Sequence, residues 1–302
     1  MPLLVTGTVG IDTVETPTAR VDNVPGGSAF HFAMAAALVG PVRLVAAVGD
    51  DFPAEHRRYF DGLPIDITGL EIRKGSKTFS WHGKYLDDMN QRESLRTDLN
   101  VIAEAPPPIP DAYRDSDYVF LANTHPAVQR GFLEQMHQPK LVVMDTMDLW
   151  INICKDELMA TLRKVHGVVM NDSEARLLTG VRDVIPAARQ VLAAGPRFVI
   201  VKKGEHGAML VTADEIASLP AYPTAGVVDP TGAGDSFAGG MMGYLARVDR
   251  HDTRAIKTAM AYGTCTASIC IEDFSSEALR RADPNEVQRR LARYSDMLTI
   301  DA

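Results

Sequence analysis

Residues 229–235 read Asp-Pro-Thr-Gly-Ala-Gly-Asp and continue Ser-Phe-Ala-Gly-Gly. Small residues let a backbone come close to a ligand, and a helix beginning near Ala233 aims unpaired N–H groups at whatever lies before it. Those amides and the helix dipole attract an anion. A carboxylate at Asp235, one turn inside, is out of place in a site built only for anions. It makes chemical sense if it removes a proton from an attacking hydroxyl while the amides stabilise a transferring phosphoryl group. The same residues also describe a glycine-rich turn in which Asp235 simply favours the helix dipole.

Other chemistry-bearing segments are weaker alone. Asn171-Asp172-Ser173-Glu174 suits a capping box, with Asn171 at the N-cap and Glu174 three residues on. Lys202-Lys203-Gly204-Glu205-His206-Gly207 has the composition of a tight turn. Gly7-Thr8-Val9-Gly10 follows an apolar strand but lacks dinucleotide-fingerprint spacing, and Gly232-Ala233-Gly234 lacks the lysine ending of a P-loop.

The elements that must position these groups alternate along the chain. Short apolar runs at 3–6, 42–48, 118–122, 141–144, 167–170 and 198–201 are separated by helix-like stretches at 27–38, 127–136, 155–164 and 187–192. Continuous apolar strands between helices predict a parallel sheet covered on both faces. The strand ends carry Gly7, Asn123, Asp145 and Asn171, and ligands of open α/β sheets bind beyond such ends. Residues 69–101 break the alternation, with strands predicted at 70–73, 78–86 and 94–101 and no helix between them. They read as a small β lid on the α/β body. A stiff Pro-rich connector follows at 105–110, and the chain closes in helix at 236–247, 253–270 and 285–296.

The 302 residues are 46% hydrophobic and 23% charged, an ordinary globular composition. Thirty-one basic residues against 39 acidic ones give a net charge of −8, without the basic face expected of a nucleic-acid binder. Any phosphate site must therefore be local. The N-terminus lacks the basic region of a signal peptide, no apolar stretch approaches a membrane span, and Cys154, Cys265 and Cys270 form no CxxC pair. These features predict a cytoplasmic protein with no nucleic-acid or membrane partner.

Residues 229–240 resemble the C-terminal signature of the ribokinase-like (PfkB) carbohydrate kinases. Pro25-Gly26-Gly27-Ser28-Ala29 resembles that family's diglycine signature, Asn171 to Glu174 its NxxE motif and Lys202 to Gly207 its nucleotide-side loop. The resemblance spans nearly the whole chain. It implies a three-layer α/β sandwich with a mostly parallel sheet and a small β lid, one kinase domain over 1–302 with lid segments at about 13–25 and 68–104. The implied reaction moves the γ-phosphate of ATP to a primary hydroxyl of a small sugar. A nucleoside acceptor on the same fold is the alternative, and a catalytically inactive sugar sensor a third reading.

The resemblance also implies roles for individual residues. Asp235 is the catalytic base, with Gly232, Ala233 and Gly234 as the anion hole. Asn171 and Glu174 support Mg²⁺ and the phosphates through water, while Lys203, Gly204, Gly207 and Thr231 line the nucleotide. Asp12, Gly26, Gly27 and Asn123 face the acceptor. Asp229 stands where K⁺ orders the anion hole in this family. One departure is His31, at the position where the signature usually continues to Asn. With Phe30, Phe79 and Trp81 it offers rings on which a base would stack. The exposed lid edges suggest a homodimer formed through the lid.

Overall fold

The computed structural model describes residues 1–224, 226–283 and 285–299. Its strands are β1 (Leu3–Thr6), β2 (Gly10–Glu15), β3 (Arg20–Gly26), β4 (Val42–Gly49), β5 (Ile65–Arg73), β6 (Phe79–Tyr85), β7 (Arg92–Asp98), β8 (Tyr118–Leu121), β9 (Leu141–Asp145), β10 (Gly167–Asn171), β11 (Phe198–Lys202), β12 (Ala208–Thr212) and β13 (Ile216–Leu219). The helices are α1 (Ser28–Ala37), α2 (Ala54–Arg57), α3 (Pro126–Leu133), α4 (Asp148–Ile153), α5 (Lys155–Leu162), α6 (Asp172–Thr179), α7 (Val184–Leu192), α8 (Ala233–Val248), α9 (Thr253–Cys270), α10 (Glu277–Arg281) and α11 (Glu286–Leu298).

Nine strands form one sheet in the order β13-β12-β11-β10-β9-β8-β1-β4-β5. All pairs from β11 to β5 are parallel, and only the pairs β11–β12 and β12–β13 are antiparallel. β1, β8 and β9 are buried at every position, as strands covered on both faces must be. One apolar core, with Phe30, Phe32, Phe120, Met241 and Cys265, packs the sheet against α1, α8 and α9. The other, with Val119, Phe132, Leu158, Met170 and Val191, packs it against α3, α5, α6 and α7. The result is the predicted three-layer α/β fold.

A second, four-stranded sheet has the order β3-β2-β6-β7 and sits over the carboxyl end of the main sheet. It differs from the sequence expectation in two places. Residues 70–73 belong to β5, hydrogen-bonded along β4 in the main sheet, because the long run from Ile65 extends the parallel ladder. The lid sheet instead takes in Gly10 to Asp12, so Asp12 lies inside a strand. In β2 the burial alternates, with Gly10, Asp12 and Val14 inward. Cross-strand partners share a face: Gly10 pairs with Phe79 and Asp12 with Trp81, while Tyr85 pairs with Arg92. Asp12, Phe79, Trp81, Tyr85 and Arg92 thus share the lid's inner face. Among the described residues no helix is long and apolar enough to cross a membrane.

Candidate active site

The glycine-rich segment caps α8. Gly232 is the N-cap at φ 76° and ψ 0°, a left-handed conformation that a side chain disfavours. The buried His31 ring lies where a Cβ on Gly232 would fall, so this glycine is required twice over. The amide of Ala233, an expected anion-hole donor, is turned to the Pro230 carbonyl at 3.2 Å. Among the described residues the amides of Gly232, Gly234 and Asp235 make no backbone hydrogen bond, leaving a short row of donors before the helix dipole.

Asp235 is half-buried at the start of α8, and desolvation pushes its pKa up to about 6. Lys202 and then Arg92 pull it back down, while Glu174 pushes it up. Asp145, at the end of β9, is buried and raised as well, first by desolvation and next by the charge of Asp235. Its Oδ1 has no hydrogen-bond partner among the described residues. Three carboxyl groups, Asp145, Glu174 and Asp235, thus share a site with two cations, one positive charge short of balance. A hydrated divalent cation suits that imbalance. Among the described residues no three His, Cys, Asp or Glu side chains converge as direct metal ligands.

Asn171 and Glu174 form the complete capping box of α6. Asn171 Oδ1 accepts the Glu174 amide at 2.7 Å, and Glu174 Oε2 accepts the Asn171 amide at 2.7 Å. Burial raises the Glu174 carboxyl against the pull of Lys202. The box fixes both side chains at the carboxyl end of the sheet and leaves each oxygen a further lone pair. Beyond β11 the Lys203 amide donates to the Gly207 carbonyl at 2.7 Å, closing a turn with Gly204 at φ 54° and Gly207 at φ 84°.

On the acceptor side, burial pushes Asp12 up to about 7, opposed by the backbone amides of Trp81 and Gly27. Gly26 passes so close to this carboxylate that no Cβ fits between them. Asp12 Oδ1 and His31 Nε2 are both buried without a partner among the described residues. His31 Nδ1 lies 2.9 Å from Ser276 Oγ, and burial lowers the imidazole to about 4, so the ring is neutral near pH 7. Phe30 is no stacking platform: it is fully buried, edge-on to Tyr59 and Phe60. Asn123 is occupied internally, accepting from Trp150 Nε1 at 2.9 Å and donating to Met147 Sδ at 3.0 Å.

Asp229 is a clamp. Its Oδ1 accepts the Thr231 amide at 2.8 Å and its Oδ2 the Ser275 amide at 3.1 Å, and Ser275 Oγ donates to the Pro25 carbonyl. One carboxylate thereby ties the anion-hole loop, the turn after α9 and the diglycine segment together. Thr231 Oγ1 donates to Tyr85 Oη at 3.2 Å, joining that loop to the lid.

Asp145 was expected to border the site only as a strand end, and Lys202, Arg92, Ser275 and Ser276 were not singled out for it from sequence. The signal for Lys202 was register: it pairs with Asn171 across β10 and β11, and its ammonium lies over Gly234. Ser276 and Arg92 carry no local signal, since only the tertiary fold brings them near.

A family model described as pfkB family carbohydrate kinase matches residues 5–280. The cytidine kinase of Thermococcus kodakarensis is 32% identical over 253 residues, covering 82% of this chain and 89% of that protein. The chain belongs to the pfkB family of carbohydrate kinases. A nucleoside kinase of Methanothermobacter thermautotrophicus is 26% identical across 85% of this chain and 82% of its own length. The crystal structure of aminoimidazole riboside kinase from Salmonella enterica, with aminoimidazole riboside and an ATP analogue, superposes with a TM-score of 0.79 at 20% identity, covering 96% of this chain and all of that one (100%). This pfkB-family protein is an ATP-dependent phosphotransferase of the carbohydrate and nucleoside kinase group.

Of the charges that hold the Asp235 pKa down, the Lys202 ammonium acts most strongly. In the pfkB-family kinase Lys202→Gln, the acid limb of the kcat/KM profile is expected to move to higher pH, because the base then loses its proton less readily. An unmoved limb in a folded variant would remove Lys202 from the electrostatics of the base.

Proposed function

We propose that the protein phosphorylates a nucleoside at its primary 5′-hydroxyl, with Asp235 as base and cytidine as the leading acceptor. The observation that carries this reading is the lateral pairing of Asp12 with Trp81 on the lid's inner face. An acid suited to adjacent ribose hydroxyls stands beside an indole suited to a base. A small free sugar has no use for that second surface. The relative named cytidine kinase supports the same choice.

Asp12 Oδ1 and His31 Nε2 would bind the ribose hydroxyls, and a neutral imidazole either donates or accepts according to how Ser276 is turned. Asp235 takes the proton of the 5′-hydroxyl as its oxygen attacks the γ-phosphorus. The free amides at the start of α8 receive the charge that develops on the phosphoryl oxygens. Asp145, Glu174 and Asn171 would hold Mg²⁺ through its waters, and the ion supplies charge neutralisation to the phosphates when bound. Lys202, with the turn at Lys203, Gly204 and Gly207, borders the nucleotide. Asp229 already clamps its loop through two amides, so K⁺ there would strengthen the anion hole rather than create it. The lid's edge strands carry Arg20, Asp22, Glu93 and Arg96, charges that guard a sheet edge against strand addition. That favours a monomer over pairing through the lid. The substrates are diffusible and suit a cytoplasmic enzyme.

ADP release measured over cytidine, uridine, adenosine, inosine, ribose and fructose with ATP and Mg²⁺ tests the reading. The nucleosides are expected to lead. Trp81→Ala is expected to raise KM for the best nucleoside about tenfold, since a stacked base is worth about 1–3 kcal/mol, and to leave ribose kinetics unchanged. Ribose or fructose exceeding every nucleoside in kcat/KM would make the protein a sugar kinase, and no turnover with any acceptor would make it a sensor.

A further inference from the structure

His31 departs from the family signature, and its ring is tightly held. The Cγ and Nδ1 edge lies against Gly232, where a Cβ would fall. The Phe30 ring meets it edge-on at 5.4 Å and 72°. On the far side Nδ1 stands 2.9 Å from Ser276 Oγ, and both residues are buried. Ser276 is the N-cap of α10, a place where a serine hydroxyl ordinarily accepts an amide of the first turn. Here it makes no cap hydrogen bond. The hydroxyl is turned instead toward a residue 245 positions earlier in the chain. The backbone enforces that turn. Ser275 sits at φ 56°, a left-handed conformation uncommon outside glycine. Its amide is pinned to Asp229 and its hydroxyl to the Pro25 carbonyl.

Proton placement follows from the partners available. The neutral ring carries a single N–H. Among the described residues His31 Nδ1 is the only partner of Ser276 Oγ. If Nδ1 held the proton and donated to Oγ, the serine proton would be buried without an acceptor, which costs free energy. With the serine donating to Nδ1 both groups are satisfied, and the ring proton sits on Nε2. That atom is buried and unpartnered among the described residues, and so is Asp12 Oδ1. A hydroxyl answers both at once: its oxygen accepts from Nε2–H and its proton goes to the carboxylate. An asparagine at this position could turn either end of its amide to the ligand. The imidazole held by Ser276 offers only a donor.

We propose that Ser276 is a positioning residue that sets acceptor specificity: by donating to His31 Nδ1 it fixes Nε2–H, so that Nε2 and Asp12 Oδ1 together read one ring hydroxyl and the protein takes ribonucleosides over deoxynucleosides. The proposal rests on the nucleoside reading above and deepens it. A deoxy analogue leaves both buried atoms unmet, and an O-methyl ether meets the donor but not the carboxylate. Discrimination of this kind is large, because a site built to bond a hydroxyl strongly rejects the ligand that lacks it.

The test uses the full chain with ATP and Mg²⁺ and compares cytidine with 2′-deoxycytidine, 3′-deoxycytidine and the two O-methyl ethers. At one ring position the deoxy and O-methyl analogues are expected to fall about 10²-fold or more below cytidine in kcat/KM. Ser276→Ala should cut that discrimination about tenfold, through a KM that rises for cytidine much more than for the rejected analogue. A mere loosening of the turn would raise both KM values alike. Ser276→Thr keeps the hydroxyl and should recover part of the discrimination, with circular dichroism and Tm checking that each variant folds. Ring-nitrogen NMR of isotope-labelled histidine reads the tautomer in the wild type without any reliance on a Ser276 variant. The His31 signal, identified by its absence from His31→Asn, should show the proton on Nε2. A proton on Nδ1 overturns the proposal. So do kcat/KM values for both deoxycytidines within about threefold of cytidine, or a folded Ser276→Ala protein with its discrimination intact. Ribose or fructose leading the acceptor panel, or no turnover at all, overturns the nucleoside reading and this proposal with it, outcomes distinct from a nucleoside kinase that ignores ring hydroxyls.

Discussion

Asp235→Asn is expected to fold, to bind both substrates and to lose between about 10² and 10⁴ of kcat, the range a positioned general base supplies. The substitution keeps shape and volume in a half-buried position and removes only the proton acceptor. Its stability should not fall. Asp235 has a raised pKa in the folded protein, so between the unfolded and folded values the native state binds more protons than the unfolded chain. Stability therefore declines as pH rises through that window and stays lower above it. Asparagine escapes that penalty and its repulsion with Asp145, so the variant's Tm near neutral pH should equal or exceed that of wild type. The wild-type kcat/KM should fall as pH drops through a limb lying above that of an ordinary aspartate. Near-normal turnover by Asp235→Asn, or an acid limb at the ordinary aspartate position, would remove Asp235 from the role of base.

Gly232→Ala is expected to damage stability and rate together. A side chain in the left-handed region costs about 1–2 kcal/mol. Here the new methyl also meets the His31 ring, held by Ser276 at 2.9 Å and 2% exposed, with no room to retreat. A total of roughly 2–3 kcal/mol corresponds to a Tm loss of roughly 4–10 °C for a chain of this size. Either the start of α8 or His31 must shift, displacing anion-hole amides or the acceptor contact. The expected loss in kcat/KM is about 10²–10³-fold, as for removal of an oxyanion donor. Adding His31→Ala should restore part of the stability, because the two residues share one space. A Gly232→Ala protein with unchanged Tm and turnover would show that neither the conformation nor the contact is required.

Much of this architecture was legible from residue order. The buried runs at 118–122 and 141–144 had to be central strands, since every position is apolar and only a sheet covered on both faces hides all of them. The capping box at Asn171 and Glu174 and the cradle before α8 were readable because both are built from residues three or four apart. The lid was legible as an interruption in the alternation, but its membership was not. Residues 70–73 follow β4 in the main sheet, and Asp12 sits in β2 of the lid, because strand partners are chosen by distant segments. Two neighbouring lysines differ for a related reason. Lys202 points into the site and Lys203 closes a turn through its own backbone, a distinction set by where β11 ends.

The glycine-rich segment with Asp235, the α/β alternation and the family to which they belong were properties of the sequence itself, because local spacing determines helix starts, anion cradles and strand burial. What surrounds Asp235 was decided only in three dimensions. Asp145 comes from another strand end, Ser276 from the turn after α9 and Arg92 from the lid. Each affects the site through electrostatics or a single contact across more than forty residues of chain, and such interactions leave no periodicity to read. The pairing of Asp12 with Trp81, on which the choice of a nucleoside rests, belongs to the same class. Two strands far apart in the chain were placed in one register, so that an acid and an aromatic ring face the site together.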